Sequence, residues 1–240
     1  MGKKSTPDRI QGGWERFLEF SPGSAEVVRT HEGLSKAAKN PACLLQERSK
    51  GKYQIEWKER VQSADSASRR LALLRDWQRG ELVQLAWKCF AQSVSAEKAA
   101  QGWTHLAEFV LETELELAKE KAPEGDGERW GGFTILALGK LGAGDLNFYS
   151  DLDLIFFHGE GDDAGAVTRL ARSVVGDLDA AGGERIYRID LRLRPEGDRG
   201  ALVPLRGTLE EYYEGYGEVW ERCAWIRGRR VGGSEEEAYE

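Results

Sequence analysis

No stretch of this chain is apolar for long enough to cross a bilayer as a helix, and no apolar segment follows the basic start Lys3-Lys4 as a secretory signal would require. A membrane partner is therefore not expected. Cysteine is scarce: Cys43, Cys89 and Cys223 are scattered, odd in number and outside any Cys-x-x-Cys spacing. That excludes a disulfide framework and a cysteine zinc site, and it suits a reducing cytoplasm. Positive charge is in deficit, with 34 Lys+Arg against 41 Asp+Glu for a net charge of −7. Broad electrostatic capture of nucleic acid is excluded on that ground. Internal repeats, low-complexity blocks and the phosphate-loop pattern GxxxxGK[ST] are all missing. Histidine is rare too; His31 and His105 lie outside the one acidic constellation described below, and His158 reads as a surface residue.

Core-forming residues are not lacking. Of the 240 residues 40% are hydrophobic and 31% charged, a globular balance with ample length for a core. The first sixty residues read as short helices, broken at Gly12-Gly13, at Ser21-Pro22-Gly23-Ser24 and at Asn40-Pro41. From Ala67 to Phe90, Leu71, Leu74, Trp77, Leu82, Leu85 and Cys89 recur at three- and four-residue steps. A second helix is expected from the N-cap residue Ser95, with Trp103, Leu106, Ala107, Val110, Leu111 and Leu115 on one stripe. Two such helices with a short connection predict an antiparallel hairpin. Pro123-Glu124-Gly125-Asp126-Gly127 reads as a linker, so a helical region over 1–125 and a second domain over 126–240 are expected.

Behind the linker the pattern changes. Phe133–Leu138 and Leu152–Phe157 are short apolar runs that suit buried strands, and Val167, Leu170, Ala171, Val174 and Leu178 predict a helix between them and the next strand. Arg185–Leu193 alternates, with Tyr187, Ile189, Leu191 and Leu193 opposite Arg188, Asp190 and Arg192, and Pro195 ends it. Thr208-Leu209-Glu210-Glu211 has capping-box form and opens a final helical region, in which Tyr212, Tyr213, Trp220, Cys223 and Trp225 read as core. The fold class is α+β, a small sheet with flanking helices preceded by a helical segment.

One constellation carries chemistry. Leu138-Gly139-Lys140-Leu141-Gly142 leads into Asn147-Phe148-Tyr149-Ser150-Asp151-Leu152-Asp153, a glycine turn followed by a strand that opens with Asp-x-Asp. Period two puts Asp151 and Asp153 on one face and Leu152 and Leu154 on the other. Two adjacent carboxylates repel when ionised, a conflict that a divalent cation resolves; magnesium or manganese would be bound, with Asp190 as third ligand. Three carboxylates and their ions suit in-line displacement at a phosphate. Gly139 lets backbone N–H groups approach a phosphate, and Lys140, Ser150, Arg192 and Arg194 complete the candidate nucleotide contacts. Taken singly, an Asp-x-Asp pair reads as a solvated strand end and an alternating Arg/Asp face as an ion-pair ladder.

Three segments resemble the glutamine synthetase adenylyltransferase/adenylyl-removing family: Leu138–Phe156 (LGKLGAGDLNFYSDLDLIF), Tyr187–Val203 (YRIDLRLRPEGDRGALV) and Glu210–Gly233 (EEYYEGYGEVWERCAWIRGRRVGG). The resemblance implies a nucleotidyltransferase fold, with Asp151, Asp153 and Asp190 as its metal-binding carboxylates. It implies ATP, ADP and phosphate as small-molecule substrates, glutamine synthetase as protein substrate and a PII-type protein as regulator. Gly217–Arg222 looks like the version in the AMP-removing domain, which releases AMP from a tyrosine by phosphorolysis to ADP. Family members carry two such domains in one chain, and one set of motifs is present here, as in a fragment or half of a split system. Gly144, Asp145 and Gly228 stand where a larger residue, Glu and Ala are usual. A non-catalytic docking module, or a nucleotidyltransferase with another acceptor, remains an alternative.

Overall fold

The computed structural model describes residues 6–46, 49–126, 130–180 and 185–234. The basic start 1–5, Gly127 of the expected linker and the acidic end 235–240 lie outside them. Helices α1 (Thr6–Phe20), α2 (Pro22–Thr30), α3 (Glu32–Ala37) and α4 (Lys50–Val61) come first, with a 3-10 turn over Pro41–Leu45. Gly12-Gly13 does not break α1, contrary to expectation. The reason is tertiary: a Cβ on Gly13 would stand 3.3 Å from the Trp87 ring, so the small residue lets α1 close on that side chain. Trp87 is buried between Trp14 and Phe17, and its indole N–H donates to the Pro41 carbonyl at 3.1 Å.

The long hairpin is α5 (Ala67–Phe90) and α6 (Ala96–Lys121). Ser66 and Ser95 cap them, each accepting from the backbone N–H three residues on. Leu106, Val110 and Leu111 are fully buried, each contributing about 1.5–3 kcal/mol relative to exposure.

The remaining elements are β1 (Thr134–Ala137), α7 (Gly139–Ala143), β2 (Leu152–Phe157), α8 (Ala164–Leu178), β3 (Ile189–Asp190), a 3-10 turn over Gly197–Arg199, α9 (Arg206–Gly215), α10 (Val219–Trp225) and β4 (Arg229–Gly233). The four strands form one mixed sheet in the order β3-β2-β1-β4, with β1 antiparallel to β2 and β4 and β2 parallel to β3. The α+β architecture is therefore as the sequence implies. One apolar core joins Tyr53, Leu74 and Leu111 of the helices to Ile135, Leu154 and Val231 of the sheet.

Several local expectations give way. The alternating stretch 185–193 is strand only at Ile189–Asp190, although β2 runs on to Phe157, because the chain turns at Leu191, whose carbonyl accepts from the Arg194 N–H at 3.2 Å. Thr208 lies inside α9, whose N-cap is Leu205 without a side-chain cap; the capping box belongs to Glu218 and Glu221 at the start of α10. Strand β4 has no sequence forecast: its Arg-Arg-Val-Gly-Gly makes no apolar run, and it forms because β1 has a free edge. His158 is buried, its backbone bridging to Leu205. Trp220 and Cys223 are exposed, since α10 packs mainly through Glu221 and Trp225, and Tyr212, Tyr213 and Trp225 are only half-buried.

Candidate functional site

Asp151 and Asp153 sit at the opening of β2. Leu152 and Leu154 are fully buried while both carboxylates reach the open face. The parallel ladder then sets Asp153 directly beside Asp190 of β3. Asp151 and Asp190 line a cavity of about 450 Å³ together with Arg188, Arg192, Arg194 and Asp198. Asp151 also borders a second cavity of about 420 Å³, walled by Leu82, Phe148, Tyr149 and Arg188.

Electrostatics separates the acids. Burial, then the charges of Asp190 and Asp151, push the Asp153 carboxyl above the ordinary carboxylate range, while Lys140 and Arg192 oppose them. Asp190 is held below that range by Arg192, whose Nε lies 3.0 Å from both carboxylate oxygens and whose backbone N–H donates at 2.9 Å. Asp151 faces Arg188 at 3.7 Å. With Asp190 turned onto its arginine, no three acidic, histidine or cysteine side chains converge as a metal-holding group among the described residues.

The glycine turn approaches the acids closely. Gly139 adopts φ +54°, and a Cβ there would lie 2.1 Å from Asp153 Oδ2. Only glycine allows that contact. Lys140 Nζ donates to Ser150 Oγ at 3.4 Å, and Ser150 donates to Asn147 at 2.7 Å. Arg194 is mostly buried; it donates to the Leu191 carbonyl at 2.8 Å and to Asp198 at 3.3 Å. The eight residues singled out from the sequence thus gather near one end of the sheet: Asp153 on β2 and Asp190 on β3, Ser150 and Asp151 just before β2, Arg192 and Arg194 in the turn after β3, and Gly139 and Lys140 at the start of α7 beneath Asp153.

The sequence matches the glutamate-ammonia ligase adenylyltransferase family over residues 15–240. The chain belongs to that family. Relatives named bifunctional glutamine synthetase adenylyltransferase/adenylyl-removing enzyme are similar to it. That of Nitrosococcus oceani is 34% identical over 181 residues, covering 68% of this chain and 19% of the relative. That of Vibrio parahaemolyticus is 36% identical over 180 residues, covering 67% and 19%. That of Burkholderia mallei is 40% identical over 138 residues, covering 52% and 15%. The chain thus spans about a fifth of the length of these relatives.

In this adenylyltransferase-family chain the departures at Gly144 and Gly228 have local roles. Gly144 is the left-handed cap of α7 at φ +76°, and Gly228 turns the chain into β4, its N–H donating to the Trp225 carbonyl at 2.7 Å. Sequence reasoning missed Arg229, which reaches the Leu141 carbonyl near the end of α7 from 88 residues away, a pairing that no spacing could announce. Among the described residues no helix is long and apolar enough to cross a membrane.

Proposed function

We propose that this chain is a divalent-metal-dependent nucleotidyltransferase that moves AMP on or off a tyrosine of glutamine synthetase, with phosphorolytic removal to ADP as its main direction. The observation that carries this reading is the pairing of Asp153 with Asp190 across the β2–β3 ladder, beside Asp151 and a rim of arginines. The direction rests on the resemblance of Gly217–Arg222 to the AMP-removing version. A cytoplasmic location and a PII-type regulator belong to the same reading, and three free cysteines are in keeping with the former.

An oxygen-only donor set with one carboxyl disfavoured as an anion fits a hard divalent cation. Asp151 and Asp153 would hold magnesium or manganese, with Asp190 joining when its carboxylate leaves Arg192. When bound, the ion offsets charge on the reacting phosphate oxygens. The protein's own groups do the rest. The Gly139 turn brings backbone N–H groups close to phosphate, and Lys140, Arg188, Arg192 and Arg194 neutralise and orient it. In the removing direction a phosphate oxygen attacks the AMP phosphorus, the bond to the tyrosine oxygen breaks, that oxygen takes up a proton, and ADP leaves.

A non-catalytic docking module is the second reading, favoured by the Arg192 fork that occupies both oxygens of Asp190. The deciding experiment incubates the chain with AMP-tyrosyl glutamine synthetase, phosphate and magnesium. ADP should form, and should cease in Asp151→Asn and on chelation. A folded chain that yields no ADP, and transfers no AMP from ATP, refutes the catalytic reading in favour of the module.

A further inference from the structure

The third motif, Glu210–Gly233, supplies none of the acids, yet one of its residues reaches the site. Helix α7 is a single turn of five residues, too short to persist on its own. Its last carbonyls need partners, and Gly144 supplies only the backbone part of the cap through Lys140 and Leu141. Arg229 of β4 supplies more. Its Nη2 donates to the Leu141 carbonyl at 2.8 Å and its Nε to the Gly142 carbonyl at 2.9 Å. The same guanidinium is ion-paired with the mostly buried Glu108 of α6. Contact on this side is close: a Cβ on Gly142 would lie 2.4 Å from the Arg227 carbonyl oxygen.

The other end of α7 begins at Gly139, packed under Asp153, and continues to Lys140, which reaches Ser150. A displacement of α7 therefore moves the glycine turn against the acid. We infer that Arg229, held by Glu108, is a positioning residue that clamps the Gly139–Lys140 turn in register with Asp153, so that α6 sets the geometry of the phosphate-facing backbone. Lysine cannot replace it, because one ammonium lacks the planar fork that meets two carbonyls while facing a carboxylate. The effect on turnover rests on the function proposed above; the effect on α7 does not.

The test uses the full chain and two readouts. In Arg229→Lys, amide exchange at Gly142, Gly144 and Asp145, whose N–H groups close the α7 turn, should accelerate on the order of tenfold, as the loss of one or two net hydrogen bonds implies. Exchange in β1 and β2 should stay unchanged. The phosphate KM for AMP release should rise by about the same factor. Glu108→Gln should shift both in the same direction by less, and added guanidinium should restore the phosphate KM of Arg229→Ala. Unchanged α7 exchange in Arg229→Lys overturns the inference, and so does acceleration spread equally through β1, α7 and β4. If the unaltered chain yields no ADP, the proposed function fails, and the exchange data alone decide the role of Arg229.

Discussion

Replacing Gly139 by alanine tests how far the site depends on one missing β-carbon. At φ +54° an alanine pays about 1–2 kcal/mol for the left-handed conformation. Its methyl would also meet Asp153 Oδ2 at 2.1 Å and Cγ at 3.0 Å. The carboxylate must therefore rotate or β2 must move. A displacement of about 1 Å at reacting groups costs roughly a hundredfold in rate. Gly144 is the internal control: it is equally left-handed, at φ +76°, with nothing within 4 Å of an added methyl. Gly144→Ala should lose about 1–2 kcal/mol in urea unfolding, and Gly139→Ala that much and more, because its methyl also displaces Asp153. Both should stay folded, given the 5–15 kcal/mol typical of a domain. Only Gly139→Ala should lose ADP release from AMP-tyrosyl glutamine synthetase, by about a hundredfold. Equal activity in the two variants would refute the claim that the turn seats Asp153; equal loss in both would assign the effect to strain alone.

Two further outcomes concern the half-buried Asp153 and the buried Glu114. Magnesium should raise the melting temperature of the unaltered chain, and Asp153→Asn should abolish that rise while leaving the chain folded; a rise that persists in the variant would remove Asp153 from the metal site. Glu114 of α6 is fully buried, and burial with the neighbouring Asp177 carboxylate pushes its carboxyl up to about 9 from 4.5. The folded state then keeps a proton that the unfolded chain gives up, so this contribution is complete below pH 4.5 and fades as pH rises toward 9. Glu114→Gln should accordingly match the unaltered chain in melting temperature at pH 4.5 and exceed it at pH 8.5; no gain at the higher pH would refute the burial argument.

Local chemistry announced the elements that govern themselves. Ser95, read as an N-cap, does cap α6 by accepting from the N–H three residues on; Ser66 and Asp163, not singled out beforehand, cap α5 and α8 the same way, and apolar spacing marks the buried stripes behind them. Asp-Leu-Asp-Leu declares its own facing because side chains in a strand alternate, so the pairing of Asp151 with Asp153 needed no coordinates. Partners distant in the chain decided the rest. How much of Arg185–Leu193 became strand depended on where the chain turns away from β2, at Leu191–Arg194, and β4 exists because β1 had an unpaired edge. Trp220 and Cys223 share the composition of a core residue, but α10 turns them to solvent, while Gly12-Gly13 stays helical because Trp87 fills the space beside it. The clamp of Arg229 on α7 has the same origin. Periodicity and capping act within about one turn or one strand and can be read along the chain; edges, cavities and forked hydrogen bonds require two segments to meet, and only the folded chain fixes which two.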